Sequence, residues 1–365
     1  MKTIQRIVIK VGSSVLTDAR GRLLSPRIEQ LIEQLAVVPS PVVVSSGAIA
    51  CGMATLGLAK RPKALAQLQA CAAIGQSELM HRYTMACSAR GMISAQVLLT
   101  QDDLADQQRY RNAKQTLLTL LHKRVVPIVN ENDTVAVEEL TFGDNDRLAA
   151  LVACAVDAQL LVILSDVDGF LREGRLVERL DALDPAHRAA VQRGSRHTTK
   201  GGMTSKLEAA RIVGHSGIPM VIANGTRPNI LADLLAGKSV GTLFVPPANR
   251  LTSRKSWMAF ALRKPKGSLV IDAGAVDALL ERGKSLLASG IREVQGRFEA
   301  GSFVAVTDQA GRELARGMCN FSSSELLRVR GMSSTQAARL LGQQRAREVI
   351  HRDHLVLERE VQGAG

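Results

Sequence analysis

Aromatic side chains are sparse: Phe, Tyr and Trp make up 3% of the 365 residues, with a single Trp. Surfaces that stack bases usually interleave several rings, so this composition does not favour an extended nucleic-acid platform. Cores must instead be built from Leu, Val, Ile and Ala. Cysteine is scarce as well. Cys51, Cys71, Cys87, Cys154 and Cys319 form an odd set without a Cys-x-x-Cys pair, which points to buried free thiols in a reducing compartment. No window of ~18 residues is apolar and free of charge, so no membrane span is expected. Lys2, Arg6 and Lys10 interrupt a first apolar stretch too short for a signal-peptide core, and a soluble, cytoplasmic protein is expected. The spacing Gly-x-Gly-x-x-Gly is missing, as is Gly-x-x-x-x-Gly-Lys-Ser/Thr, which removes the dinucleotide fingerprint and the P-loop. A polybasic tail is missing too. The net charge is +13, but residues 250–365 hold 19 Lys and Arg against 12 Asp and Glu, so the excess is spread thinly. It would still help attract anions.

What is present is a chain long enough for two domains, since one usually takes ~100–150 residues. Its first two-thirds alternate apolar β-runs with helices. The stretch 141–169 organises the rest: Gly143-Asp144-Asn145-Asp146 reads as a polar turn with Asp144 or Asn145 as N-cap, Leu148–Val156 as a helix, and Leu160–Leu164 as a strand buried on both faces. Ser165-Asp166 leaves the carboxyl end of that strand, where open α/β sheets place ligands.

Other β-runs end in the same way. Ile4–Val11 empties into Gly12-Ser13-Ser14, with Lys10 at its mouth; an anion contact and a surface lysine both fit. Pro41–Val44 empties into Ser45-Ser46-Gly47. Val125–Val129, whose Pro127 argues against a fully paired centre, leads to Asn130-Glu131-Asn132-Asp133-Thr134. Those polar groups suit a small amino acid, or simply an Asx-rich turn. Thr198–Lys206 places two glycines, hydroxyls and two lysines before a helix over 207–213, a combination suited to phosphate oxygens. Arg61-Pro62 reads as the start of a long core or subunit-interface helix, with no catalytic signal in it.

Taken together, Lys10-Val-Gly-Ser-Ser14, Ser45-Ser-Gly-Ala-Ile-Ala50, Asn130-Glu-Asn-Asp133, Gly143-Asp-Asn-Asp146 and Gly201-Gly-Met-Thr-Ser-Lys206 resemble the signature of the amino acid kinase family. The resemblance covers about residues 3–245. It implies a three-layer α/β/α sandwich without a P-loop, ATP with Mg²⁺ held through its phosphates and no protein metal site assigned, and phosphorylation of the side-chain carboxylate of L-glutamate, a first step of proline biosynthesis. By this resemblance Lys10, Asp146 and Lys206 are catalytic, and Ser46, Asp133 and Asn145 bind glutamate. Gly12, Ser13, Ser165, Asp166, Lys200, Gly201, Gly202, Met203, Thr204, Ser205 and Lys206 contact nucleotide. A homo-oligomer (dimer or tetramer) and inhibition by proline are also implied. Lys200 stands where the family usually has part of a Gly-Thr-Gly-Gly run, and the loop after Asp168 looks short, which bears on nucleotide contacts. Alternatives are the same fold acting on acetylglutamate, aspartate or a carbamate, or an RNA-binding protein with a degenerate kinase domain.

The sequence divides as a kinase-like domain over 1–245, a connector over 246–266, a small β-rich, barrel-like module over 267–356 and a tail over 357–365. Asp272–Ile291 and Val349–His354 resemble the PUA domain, named for pseudouridine synthases and archaeosine transglycosylases. RNA binding there is the less favoured role, behind a structural or regulatory one. Trp257 reads as packing rather than as a stacking platform. His351, Asp353 and His354 have near metal-ligand spacing, but strand termination is the preferred reading, and none of the seven histidines is given a mechanistic role.

Overall fold

Five apolar runs, RIVIKV, SPVVVS, VVPIVNE, LLVILS and MVIAN, are nearly continuous in Val, Ile and Leu, as strands covered on both faces must be. In the computed structural model, which describes residues 4–18, 20–136, 144–181, 202–247, 252–260, 265–342 and 347–362, they form the middle of one sheet. The chain runs β1 (Arg6–Val11), α1 (Ser13–Leu16), α2 (Ser25–Leu35), β2 (Ser40–Ser45), α3 (Ala48–Thr55), α4 (Leu65–Ser88), β3 (Ile93–Leu99), α5 (Gln101–Ala105), α6 (Gln107–His122), β4 (Val125–Glu131), α7 (Asp144–Ala155) and β5 (Leu160–Ser165). It continues with a short hairpin β6–β7 (Leu171–Arg172, Arg175–Leu176), β8 (Arg179–Leu180), α8 (Gly202–His215), β9 (Met220–Asn224), α9 (Ile230–Leu235) and β10 (Thr242–Phe244). The sheet order is β3-β4-β2-β1-β5-β9-β10-β8, parallel except where β10 meets β9. The chain divides into two units, Met1–Arg250 and Leu251–Gly365.

Side chains of β1 alternate between the two faces of the sheet. Ile7, Ile9 and Val11 join a core with Ile28, Ile32 and Leu35 of α2 and Leu79 and Tyr83 of α4. Val8 and Lys10 fall on the opposite face, where α7 packs on β1 and β5 and against α8. From Leu148 to Ala155, α7 is buried all round, so it is a core helix rather than an amphipathic one. Its first turn carries polar residues into that core.

Several boundaries differ from the sequence reading. α7 begins at Asp144, so Asn145 is an intrahelical residue and not an N-cap. α8 begins at Gly202, so Gly202 to Lys206 form its first turns instead of a loop ahead of it. α4 starts at Leu65, past Pro62, and runs 24 residues. β4 is paired on both sides despite Pro127, although its pairing with β2 is confined to Ile128 and Val129, beyond the proline. The sequence also reads as a short helix over 185–191; that stretch, Gly143, and the candidates Lys200 and Gly201 lie outside the described residues.

In the second unit, α10 (Ser253–Phe260) is followed by β11 (Ser268–Ile271), α11 (Ala273–Leu280), β12 (Ile291–Gln295), β13 (Phe303–Thr307), β14 (Glu313–Met318), α12 (Ser323–Val329), α13 (Ser334–Leu340), β15 (Leu355–Leu357) and α14 (Glu358–Gln362). These strands form a five-stranded sheet in the order β12-β11-β13-β14-β15 over its own core. The stretch read as a connector therefore contains a helix, and α10 packs on β14 and β15 with Trp257 buried. The last strand is Leu355–Leu357, later than the 349–354 of the sequence reading. His351 caps the turn before it, its Nδ1 accepting from the Asp353 amide at 3.2 Å.

Candidate active site

The carboxyl ends of β1, β2, β4 and β5 open at one edge of the sheet. Lys10 reaches across that edge to Asp146 of α7, with Nζ 2.7 Å from Oδ1. Lys206 of α8 approaches the other carboxylate oxygen, Oδ2, at 3.2 Å. The Ser205 hydroxyl donates to the same oxygen at 2.7 Å, and Lys206 also donates to the Gly202 carbonyl at 3.1 Å. All three charged groups are buried: Lys10 and Lys206 are 6% exposed and Asp146 is 1% exposed.

Two cations around one anion give the triad itself a net positive charge, and burial strengthens its action on anything negative. Burial pushes the Lys10 ammonium below its ordinary 10.5, and Lys206 adds to that push while Asp146 opposes it. For Asp146, burial alone would raise the carboxyl, but the two lysines beside it hold it below its usual value. The arrangement is suited to a dense, mobile anion such as a phosphoryl group.

Around this triad the sheet end is tightly tied. The Gly12 amide donates to the Leu164 carbonyl at 2.9 Å, and a Cβ on Gly12 would stand 3.3 Å from that oxygen. Ser13 opens α1 just beyond. The Ser46 amide donates to the Val11 carbonyl at 3.0 Å, and Gly47 turns the chain into α3 with φ +110°, a conformation glycine adopts readily. At the end of β5, Ser165 is buried and donates to Asp166 at 3.1 Å, and Asp166 is exposed.

A second polar cluster adjoins α7. Asn145 Nδ2 donates to Ser46 Oγ and Asn130 Oδ1, both at 3.1 Å, and to the Ser45 carbonyl at 3.3 Å. Asn130 Nδ2 donates to Gln76 Oε1 at 2.8 Å. Ser46 and Asn145 are thus brought together. Asp133 is half-buried in the turn after β4, which is anchored by the Asn132 amide on the Leu99 carbonyl at 3.0 Å. Met203 and Thr204 lie in the first turn of α8. Gln76 is missing from the sequence reading altogether. It sits in an unremarkable Ala/Leu/Gln helix, and only the packing of α4 brings it to the site.

An α/β/α sheet with two lysines and an aspartate converging at its carboxyl edge, and no P-loop, marks a class of phosphotransferase. The sequence profile of the amino acid kinase family matches residues 5–224, and the chain belongs to that family. A PUA-domain profile matches residues 267–341. Among its relatives is a glutamate 5-kinase of Caldanaerobacter subterraneus, 45% identical over 96% of this chain and 97% of that protein. The glutamate 5-kinase of Geobacter sp. strain M21 is 44% identical over 98% of both chains. That of Streptomyces avermitilis is 47% identical over 97% of this chain and 96% of its own.

Proposed function

We propose that this protein transfers the γ-phosphoryl of ATP to the side-chain carboxylate of L-glutamate, giving glutamate 5-phosphate and ADP, the first step of proline biosynthesis. The observation that supports it is the buried Lys10–Asp146–Lys206 triad, in a chain similar over nearly its whole length to glutamate 5-kinases. A carboxylate is already ionised at neutral pH, so the reaction needs no general base. Its barrier is the approach of an anion to a polyanion. Lys10 from the strand side and Lys206 from the helix side lower it by meeting charge on the transferred group. Asp146 keeps both ammonium groups in place without exchanging a proton.

Gly12, Ser13, Ser165, Asp166 and the first turns of α8 bind nucleotide in this reading, and Ser46, Asp133 and Asn145 bind glutamate. In this reading Mg²⁺ arrives carried on the phosphate oxygens of ATP. When bound, that ion screens phosphate charge. Proline keeps the α-carboxylate and amine but has no acceptor carboxylate, so it competes with glutamate and not with ATP in initial-rate measurements. A homo-oligomer is proposed through exposed Ile74, Met85 and Ile93, because Leu68, Cys71 and Leu79 of α4 are used inside the unit. Light scattering at monomer mass would count against it. Among the described residues no helix is long and apolar enough to cross a membrane, and a cytoplasmic enzyme is proposed.

The test is ADP release across a panel of amino acids, with hydroxylamine present to trap an acyl phosphate. Turnover on glutamate supports the reading; turnover on acetylglutamate but not glutamate rejects it.

A further inference from the structure

Helix α4 reaches the acceptor side of the site through hydrogen bonds whose direction can be read without ambiguity. The Ser45 carbonyl is only an acceptor, so the Asn145 group 3.3 Å from it must be the amide nitrogen. The Glu131 amide is only a donor, so the Asn130 atom 2.9 Å from it must be oxygen. Asn130 therefore turns its oxygen to Asn145 and its nitrogen to Gln76 Oε1. With both ends assigned, Asn145 Oδ1 is left facing away from these partners; it is buried and has no hydrogen-bond partner among the described residues. Ser46 Oγ accepts from Asn145, which leaves its proton free to be donated.

Gln76 is brought to this position by close helix packing. A Cβ on the adjacent Gly75 would lie 1.8 Å from the Ala48 carbonyl oxygen, and one on Gly52 would lie 1.8 Å from the Cys71 carbonyl oxygen. From two turns further along α4, the Tyr83 hydroxyl meets Ser45 Oγ at 3.0 Å and steadies the same strand end.

We propose that Gln76 is a positioning residue for recognition of the acceptor amino acid. By accepting from Asn130 it holds that amide in one orientation, and Asn130 in turn holds Asn145, so that the site presents one acceptor oxygen and one hydroxyl donor. An amino acid carries the matching pair, an ammonium and a carboxylate. The inference rests on the reading that the acceptor is L-glutamate.

The experiment compares the full-length protein with Gln76→Leu and Gln76→Glu by initial rates of glutamate-dependent ADP release. Loss of one relay hydrogen bond raises the glutamate KM about tenfold in Q76L, with kcat and the ATP KM within about twofold. Q76E keeps an acceptor oxygen and brings the glutamate KM back to within about threefold of the parent. A glutamate KM in Q76L within twofold of the parent, a fall in kcat at constant KM, or a Q76E no better than Q76L would overturn the proposal. Should Q76L fail to fold by circular dichroism, Q76A is read against the same outcomes. Absence of glutamate turnover by the unsubstituted protein overturns the underlying reading, and the proposal with it.

Discussion

At the scale of single residues, the triad and the acceptor cluster divide the work between rate and binding. Lys10→Ala or Lys206→Ala removes charge that acts on the transferring group, a loss of ~3–4 kcal/mol or about 10²–10³ in kcat, with a small change in glutamate KM. Asp133→Ala should do the opposite and raise glutamate KM most. Steady-state kinetics of the three variants separates the roles; near-normal kcat in K206A would misplace the phosphoryl site. The depressed Lys10 pKa adds a pH signature. Its ammonium loses its proton as pH rises through a value below 10.5, so kcat/KM for ATP should fall on the alkaline side before that pH. A profile flat to pH 10.5 would contradict a protonated Lys10 in the reaction. The triad was legible in the sequence through the family resemblance, whose motifs carry Lys10 before Gly12-Ser13-Ser14, Asp146 after Gly143, and Lys206 after Gly201-Gly202-Met203-Thr204-Ser205. Gln76 was not, because nothing in a run of Ala, Leu and Gln says which side chain faces a neighbour.

Among the elements, the pairing of α3 with α4 is the most exposed to small changes. In Gly75→Ala the new Cβ would meet backbone at Ala48 and Gly52, which cannot move as a side-chain end can. Overpacking of that kind costs ~3 kcal/mol, a fall in Tm of about 6–12 °C. Thermal unfolding checks it, and an unchanged Tm would mean the helices separate freely. The strands were readable from their apolar runs, as β1, β2 and β5 illustrate. Helix starts were less so: α7 and α8 both begin earlier than their apolar residues, because their first turns spend polar side chains on the site instead of on solvent. β3 extends back to Ile93 through a half-exposed stretch supported by pairing with β4 and by α4, where Thr84 Oγ1 lies 3.3 Å from Ser94 Oγ, long-range causes that a local pattern does not carry.

For the whole molecule, the second unit has its own sheet and core, and its one Trp is buried among its own elements. That leaves no exposed indole for base stacking, and a structural or regulatory role rather than RNA binding is our proposal for this unit. Filter binding to tRNA at ~0.15 M salt should show only weak, salt-sensitive retention. Tight binding that survives saturation with ATP and glutamate would reverse this preference.

The triad draws its members from three distant parts of the chain, with Lys206 and Asp146 60 residues apart and Lys10 further still. The strand that carries Lys10, β1, is paired in parallel with β2 on one side and with the distant β5 on the other. Contacts of such long sequence separation are closed late, after the entropy of large loops has been overcome. During refolding from denaturant, helical ellipticity should therefore recover before phosphotransfer does. The lag between the two signals measures how long the chain exists as a nearly complete sheet without its charge cluster, and simultaneous recovery would show that the strand order and the cluster form in a single step.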